Sequence, residues 1–382
     1  MRRRRDVRYG DGAIRSAARV VTELGARRVL LICGGTSFEA SGAAEALPAL
    51  RRAATVLRWS DFAPNTDAAD LVRGLELAES FQPDLVLGVG GGSAMDMAKL
   101  VCAFAGHADQ VKCNDAIRAG EPVTARDKHL VLAPTTSGSG SEATHFAVVY
   151  IGDEKFSVAG QPLLPDTVIL DPLLTMSGSR YQRATSGIDA VAQAIESLWA
   201  VSATPQSRRF ARHALGHLLT SIEPFVTHPT TKTARAMAIG SHLAGRAINI
   251  SKTTAAHALS YGITKRYGVS HGHAVALTLG AFIEAHADAA GERLRGSIDP
   301  AVHAEVMGGL LDLLDASDGR RGRAALTSLM QRIGLEPSLT VAGAATVEDR
   351  VALSASVNAE RLGNNPVAFT GQDLARIMTE LP

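Results

Sequence analysis

Two imidazoles fourteen positions apart, His257 and His271, follow a carboxylate, Asp189, placed sixty-eight residues before the first of them. Asp189 lies in Gly187-Ile-Asp-Ala-Val-Ala-Gln193-Ala-Ile-Glu196. The imidazoles flank the run His257-Ala-Leu-Ser-Tyr261 through Ser270-His271-Gly272-His273. Far upstream stands a glycine turn, Gly88-Val-Gly90-Gly91-Gly92-Ser93-Ala-Met-Asp96-Met-Ala-Lys99. One carboxylate, two imidazoles and a phosphate-binding turn are the parts that metal-assisted hydride transfer requires. An isolated His is more often packed than a ligand, so the case rests on their joint position.

The elements around these residues change character near position 178. Before it, apolar runs alternate with helical patterns. Arg28-Val-Leu-Leu-Ile-Cys33 ends in Gly34-Gly35, Asp84-Leu-Val-Leu-Gly-Val89 enters the glycine turn, and His129-Leu-Val-Leu-Ala-Pro134 enters Thr135-Thr-Ser-Gly-Ser-Gly-Ser-Glu142. Such runs are buried parallel strands, and their turns place ligand loops at the carboxyl edge of an open sheet. Thr167-Val-Ile-Leu-Asp-Pro172 reads as one more strand. Beyond it, Ala/Leu/Ile-rich helical segments cover 181–203, 206–225, 231–249, 253–266 and 273–290, with breaks at Pro205 and Pro229. The cluster Gly319-Arg-Arg-Gly-Arg323 reads as a loop. The expected architecture is an α/β dinucleotide-binding domain over 1–177 followed by an all-α domain over 178–382.

Composition limits the function classes. A formal charge of +1 over 382 residues offers no basic field for nucleic acid. Arg2 to Arg5 read as a solvated tail; no apolar segment follows them as in a signal peptide, and no run is long enough for a membrane helix. Three cysteines, Cys33, Cys102 and Cys113, lack metal-type spacing, and the first two sit in apolar segments. The chain therefore reads as a reduced, cytoplasmic enzyme.

The glycine turn is followed by Ser93-Ala-Met-Asp96, a capping-box-like helix start. Glycines let a phosphate approach the backbone, and the helix N-terminus supplies unpaired N–H groups and partial positive charge. This turn, the run Pro134 to Glu142, the sequence around Asp189 and Glu196, and His271-Gly272 together resemble the iron-containing alcohol dehydrogenases. The likeness extends to Gly363-Asn-Asn-Pro366 near the end of the chain. It implies the dehydroquinate synthase-like fold of that family. It further implies that Gly90, Gly91, Gly92 and Ser93 hold the cofactor pyrophosphate, that Asp96 belongs to the cofactor-binding set, and that Thr135, Thr136 and Ser139 lie along the nicotinamide and its ribose. Asp189, His257 and His271 are the implied metal ligands, with Gln193 standing where many members carry a further His. Three such ligands with an open position suit Fe²⁺ or Zn²⁺. Tyr261 stands where many members carry another His, and His273 offers a proton relay beside the site.

Where NAD-preferring relatives carry an acid, at the end of the first predicted strand, this chain has Gly34, Gly35, Thr36 and Ser37. That resembles NADP-using members, so NADP(H) is the favoured cofactor, with NAD(H) as the alternative. The resemblance implies aldehyde reduction by a reduced nicotinamide, a metal serving as Lewis acid on the carbonyl. Gln193, Lys252-Thr-Thr254 and Tyr-Gly-Val-Ser-His271-Gly-His273 are similar to the phosphonate-associated branch, which implies reduction of phosphonoacetaldehyde to 2-hydroxyethylphosphonate. Lys252, one helical turn from His257, would meet the anionic end of the substrate; Lys155, Arg246, Arg266 and Arg361 are further candidates. A homodimer is possible on this reading. The alternatives are a sugar-phosphate cyclase of the dehydroquinate synthase type, which regains its hydride in each turnover, and a non-catalytic nucleotide-binding protein.

Overall fold

The computed structural model describes residues 6–152, 154–289 and 291–382. The arginine run at 2–5, read above as a solvated tail, lies outside the described residues. Two compact units emerge: the first ends at Gly178 and also takes in Thr230–Ala238, and the second comprises Ser179–Pro229 and Ile239–Pro382.

The strands of the first unit are β1 (Asp6–Tyr9), β2 (Arg28–Cys33), β3 (Thr55–Trp59), β4 (Leu85–Gly90), β5 (His129–Pro134), β6 (Phe146–Ile151), β7 (Glu154–Ala159) and β8 (Thr167–Leu170). Six form one parallel sheet in the order β1-β8-β5-β4-β2-β3, and β6 pairs antiparallel with β7. The four strands expected from apolar runs are present. Their continuity follows from burial on both faces: Leu30, Ile32, Val86, Leu130 and Leu132 enter one core, while Val29, Leu31, Leu85, Leu87 and Val131 enter the other. The edge strands β1 and β3 and the strand β7 carry no such run, because each is only partly covered. Six helices accompany the strands: α1 (Ala17–Glu23), α2 (Gly35–Ala40), α3 (Leu47–Ala53), α4 (Ala68–Phe81), α5 (Gly92–Ala103) and α6 (Gln110–Ala119). Cys33, Cys102 and Cys113 are free thiols, all buried.

The remaining helices are α7 (Arg180–Trp199), α8 (Pro205–Thr227), α9 (Thr231–Ser251), α10 (Ala255–Tyr267), α11 (His271–Ala287), α12 (Pro300–Leu313), α13 (Gly319–Ile333), α14 (Val347–Ala355), α15 (Ala359–Gly363) and α16 (Gly371–Thr379). Their starts are built from local chemistry. Ser179 accepts from the Gln182 N–H to begin α7, and Thr204 and Ser207 form a capping box around Pro205 to begin α8. No helix among the described residues is long and apolar enough to cross a membrane.

The expected loop at 319–323 is instead the first turn of α13. Asp318 caps it by accepting from the Arg321 N–H. Its glycines are there for close packing: a Cβ on Gly319 would stand 2.9 Å from the Glu284 Cα, and one on Gly322 would stand 2.9 Å from Ile283 and Leu311. Gly319→Ala should therefore lower stability by about 1–3 kcal/mol, the usual cost of overpacking. An unchanged urea midpoint would show that α11 and α13 are not locked at this contact.

Candidate functional site

In the second unit, helix α7 presents Asp189 and, two turns on, Glu196. Both are buried on a helix whose inner face is lined by Ala184, Ile188 and Val191. The Glu196 side chain is fully buried and serves as the start of another helix. Its Oε1 accepts from the Thr254 hydroxyl (2.9 Å) and from the backbone N–H groups of Ala256 (3.0 Å) and His257 (3.3 Å), the first amides of α10. Its Oε2 accepts from Nδ1 of His257 in a short contact. One carboxylate thus caps α10 and fixes the rotation of the His257 ring. Burial opposes ionisation of Glu196, yet His257 and these donors hold its pKa below the ordinary value. On His257, burial disfavours the charged form, but Glu196 and Asp189 outweigh it and push the pKa up to about 9.

His271 opens α11, and the adjacent Gly272 explains how it reaches α7. A Cβ on Gly272 would stand 2.0 Å from the Thr185 carbonyl oxygen and 2.7 Å from the Asp189 Cβ. Only glycine lets the two backbones approach this closely. The His271 Nδ1 lies 3.3 Å from the Ser260 hydroxyl, and its ring stands 5.5 Å from that of His257. Ligand atoms of Asp189, His257 and His271 all lie within 4.8 Å of one another. The His257 Nε2 is buried, stands 3.4 Å from Asp189 Oδ1 and makes no hydrogen bond among the described residues. A buried imidazole nitrogen without a hydrogen bond, facing a carboxylate and a second imidazole, fits a divalent cation. The Glu196–His257 contact is the outer partner such a ligand needs.

The remaining expected residues fall differently. Gln193 donates its side-chain amide to Asp189 Oδ2 at 3.0 Å, which orients that carboxylate. Tyr261 stacks on His271 at 6.0 Å, and Arg361 hydrogen-bonds to it. Burial raises the Tyr261 pKa against the opposing effect of Arg361. Both ring nitrogens of His273 are engaged, by the Tyr181 hydroxyl at 3.2 Å and the Glu336 carbonyl at 2.7 Å, so it bridges α7, α11 and the segment after α13. Lys252 does not point an open ammonium toward His257: it pairs with Glu360 at 2.6 Å. Its backbone is left-handed, φ 57°, at the junction of α9 and α10. Asn364, in the Gly363-Asn-Asn-Pro366 run, fixes that junction by donating to the carbonyls of Ser251 (2.7 Å) and Thr253 (3.0 Å).

In the first unit the glycine turn lies between β4 and α5, as expected. A Cβ on Gly90 would meet Ala94 at 2.6 Å, and one on Gly92 would meet Ser139 at 3.1 Å. Gly91 precedes the first turn of α5 without a side-chain cap, the arrangement that suits a helix N-terminus for a phosphate. The Ser93 hydroxyl accepts from the Asn65 N–H at 3.1 Å. Thr135 donates its N–H to the Gly90 carbonyl at 2.9 Å, which joins the two loops; Thr136 and Ser139 are half-buried beside the turn. Gly34 is joined to the turn through its N–H and the Val89 carbonyl, at 3.3 Å.

Asp96 departs from its expected cofactor role. It accepts from the Ser141 hydroxyl (2.5 Å) and the Val148 N–H (3.0 Å), so it supports the second loop from behind. Sequence reasoning gave no role to Lys99. Its ammonium is fully buried and donates to the carbonyls of Ser141 (2.5 Å), Thr144 (2.9 Å) and Phe146 (2.8 Å). Burial depresses its pKa to about 8 against the pull of Asp96 and Glu142. The only sequence signal was a charged residue three positions after Asp96 inside an otherwise apolar helix face.

Two expectations follow. Gly272→Ala should prise α11 from α7 and lower divalent-metal affinity by at least ten-fold although every ligand remains, as read by titration calorimetry with Zn²⁺; unchanged affinity would refute the packing argument. Glu196→Gln keeps the shape but removes the charge behind His257, so metal affinity should fall by about 10–100-fold, the usual cost of losing such a partner. An unaltered isotherm would show that His257 needs no carboxylate.

Comparison with known proteins gives these features a context. Residues 5–172 match the family model described as iron-containing alcohol dehydrogenase, and residues 183–381 match the C-terminal model of the Fe-containing alcohol dehydrogenase family. The chain is 31% identical over 309 residues to a phosphonoacetaldehyde reductase of Streptomyces viridochromogenes, covering 79% of this chain and 77% of that protein. It is 34% identical over 274 residues to a long-chain-alcohol dehydrogenase of Geobacillus thermodenitrificans, covering 71% and 69%. Among solved structures, sulfoacetaldehyde reductase from Bifidobacterium kashiwanohense in complex with NAD⁺ superimposes with a TM-score of 0.88 at 26% identity, covering 99% of this chain and 96% of that one.

Proposed function

The chain belongs to the iron-containing alcohol dehydrogenase family, and from that premise we propose that it reduces a short aldehyde whose far end carries a compact oxyanion. The substrate this reading favours is phosphonoacetaldehyde, giving 2-hydroxyethylphosphonate. The family match across both halves of the chain leaves the cyclase and the non-catalytic alternatives without support. The observation that carries the reading is the convergence of Asp189, His257 and His271 around a buried imidazole nitrogen. A divalent ion held there would supply Lewis-acid polarisation of a carbonyl, and a reduced nicotinamide would supply the hydride.

The chain's own residues do the positioning. Glu196 keeps the Nδ1 proton of His257 on its own side, which leaves Nε2 as the ring nitrogen that would face a metal in the cluster. Gln193 holds the Asp189 carboxylate, and Tyr261 backs the His271 ring. The anionic end has support of two kinds. Two similar proteins are named for phosphonoacetaldehyde and sulfoacetaldehyde, aldehydes that end in tetrahedral oxyanions. The ring stacked on His271 hydrogen-bonds to the buried guanidinium of Arg361, and Lys252 is paired with the neighbouring Glu360. A cation beside a ligand-backing ring suits a substrate whose charge lies two carbons from its carbonyl.

Nicotinamide absorbance tests this with phosphonoacetaldehyde and propanal, NADH and NADPH, and added Fe²⁺ or Zn²⁺. The wild type should prefer the phosphonate aldehyde. Arg361→Gln should lower its kcat/KM by roughly one to two powers of ten, the scale of a lost charge-assisted contact. Propanal should be affected much less. A wild type that prefers propanal, or equal losses on both aldehydes, would count against an anionic substrate.

A further inference from the structure

We propose that Arg58 reads the 2′-phosphate of NADP(H), and that Glu39 occupies the arginine until that phosphate arrives. The inference deepens the dinucleotide reading of the first unit and is independent of the aldehyde. Along the carboxyl edge of the sheet, β4, β2 and β3 are consecutive neighbours. The glycine turn ends β4, the Gly34-Gly35-Thr36-Ser37 loop follows β2, and Arg58 is the penultimate residue of β3, paired in register with Leu31. The Gly34 N–H bonds the Val89 carbonyl at 3.3 Å, so the loop abuts the turn directly. A dinucleotide with its pyrophosphate on the turn lays its adenosine ribose toward the end of the neighbouring strand. The Arg58 guanidinium reaches that loop.

The loop itself is shaped to receive a group rather than repel one. No acid stands at the end of β2. A side chain on Gly35 would meet nothing within 4 Å, and Ser37 folds its hydroxyl back over Gly34, where a Cβ would stand 2.1 Å from it. Arg58 is fixed from several sides: Nε donates to the Cys33 Sγ at 3.2 Å, Nη2 lies 3.4 Å from the Gly35 carbonyl, and Cζ stands 4.7 Å over the Phe38 ring. These contacts hold the guanidinium plane whatever its outer partner is. That partner is Glu39, 2.5 Å from Nη1, on a side chain 53% exposed. An ion pair so open to solvent is weak. A phosphate dianion offers the fork two oxygens at once and greater charge, so it displaces the carboxylate without any movement of the arginine.

Binding of 2′,5′-ADP and of 5′-AMP to the purified protein, followed by calorimetry, isolates the 2′-phosphate from turnover. The wild type should bind 2′,5′-ADP at least ten-fold more tightly. Arg58→Ala should abolish that difference, Arg58→Lys should retain part of it, and Glu39→Gln should widen it. In the reaction, Arg58→Ala should lower kcat/KM for NADPH by about 10–100-fold, the loss of a bidentate phosphate contact, with NADH changed less than three-fold. Equal affinity of the wild type for the two nucleotides, or a preference that survives Arg58→Ala, would overturn the assignment. Binding of neither would instead overturn the dinucleotide site itself. Because Arg58→Lys preserves charge and bulk, a difference lost in both variants with unchanged thermal melting is a loss of recognition, not of fold.

Discussion

Much of the second unit is organised around one buried charge. The Glu196 carboxylate has no access to solvent, and removing such a group from water costs several kcal/mol unless its lone pairs are occupied. Here Thr254, two backbone amides at the start of α10 and the His257 ring occupy them. The same contacts that offset desolvation also decide where α10 begins and how His257 is rotated. Trp199, on the same helix as Glu196, extends the network by donating its indole N–H to Thr254 at 2.9 Å. Asn364 anchors the preceding turn from a distant part of the chain. The orientation of His257 is therefore set by groups outside the Asp189, His257 and His271 cluster.

Close backbone approach is the second constraint. Gly272 admits α11 to α7 next to Asp189, and Gly90 and Gly92 admit the nucleotide turn to α5 and to the second loop. In both places a β-carbon would separate groups that must be within a few ångströms. The second loop is in turn carried by Lys99 and Asp96, which satisfy three carbonyls, a hydroxyl and an amide from inside the unit. Loops that present backbone to a ligand leave their own polar groups facing inward, and buried ones must find partners. The charged pair on α5 provides them.

The site also differs from the commoner family pattern in a consistent direction. Gln193 and Tyr261 each hold a member of the proposed metal cluster, the first bonded to Asp189 and the second stacked against His271. On the proposed reading, a metal held by Asp189, His257 and His271 would keep a position for substrate oxygen, the arrangement catalytic sites require. Replacing Tyr261 by an imidazole would remove the ring that Arg361 meets, which links this departure to the anionic substrate proposed above.

Apolar strand runs, Gly- and Ser-rich turns and the later helical pattern were legible in the sequence because burial on two faces and backbone torsion are local demands on residue type. The place of the glycine turn and the convergence of Asp189, His257 and His271 were legible too, because their residue types and order match a family. The roles of Asp96, Gln193, Lys252 and His273 were not. Each depends on which donor or acceptor a distant segment brings: Ser141 and Val148 to Asp96, Glu360 to Lys252, Tyr181 and Glu336 to His273. The glycines of the expected loop at 319–323 belong to a helix because α11 packs against them, a contact no local pattern records. Arg58 is likewise an ordinary strand residue until β3 is laid beside β2 and its guanidinium reaches the Gly34 loop. The sequence determined the chemistry carried by the chain, since that resides in side-chain type. Tertiary structure alone decided which of those side chains face a ligand and which hold the others in place, since that depends on partners far apart in sequence.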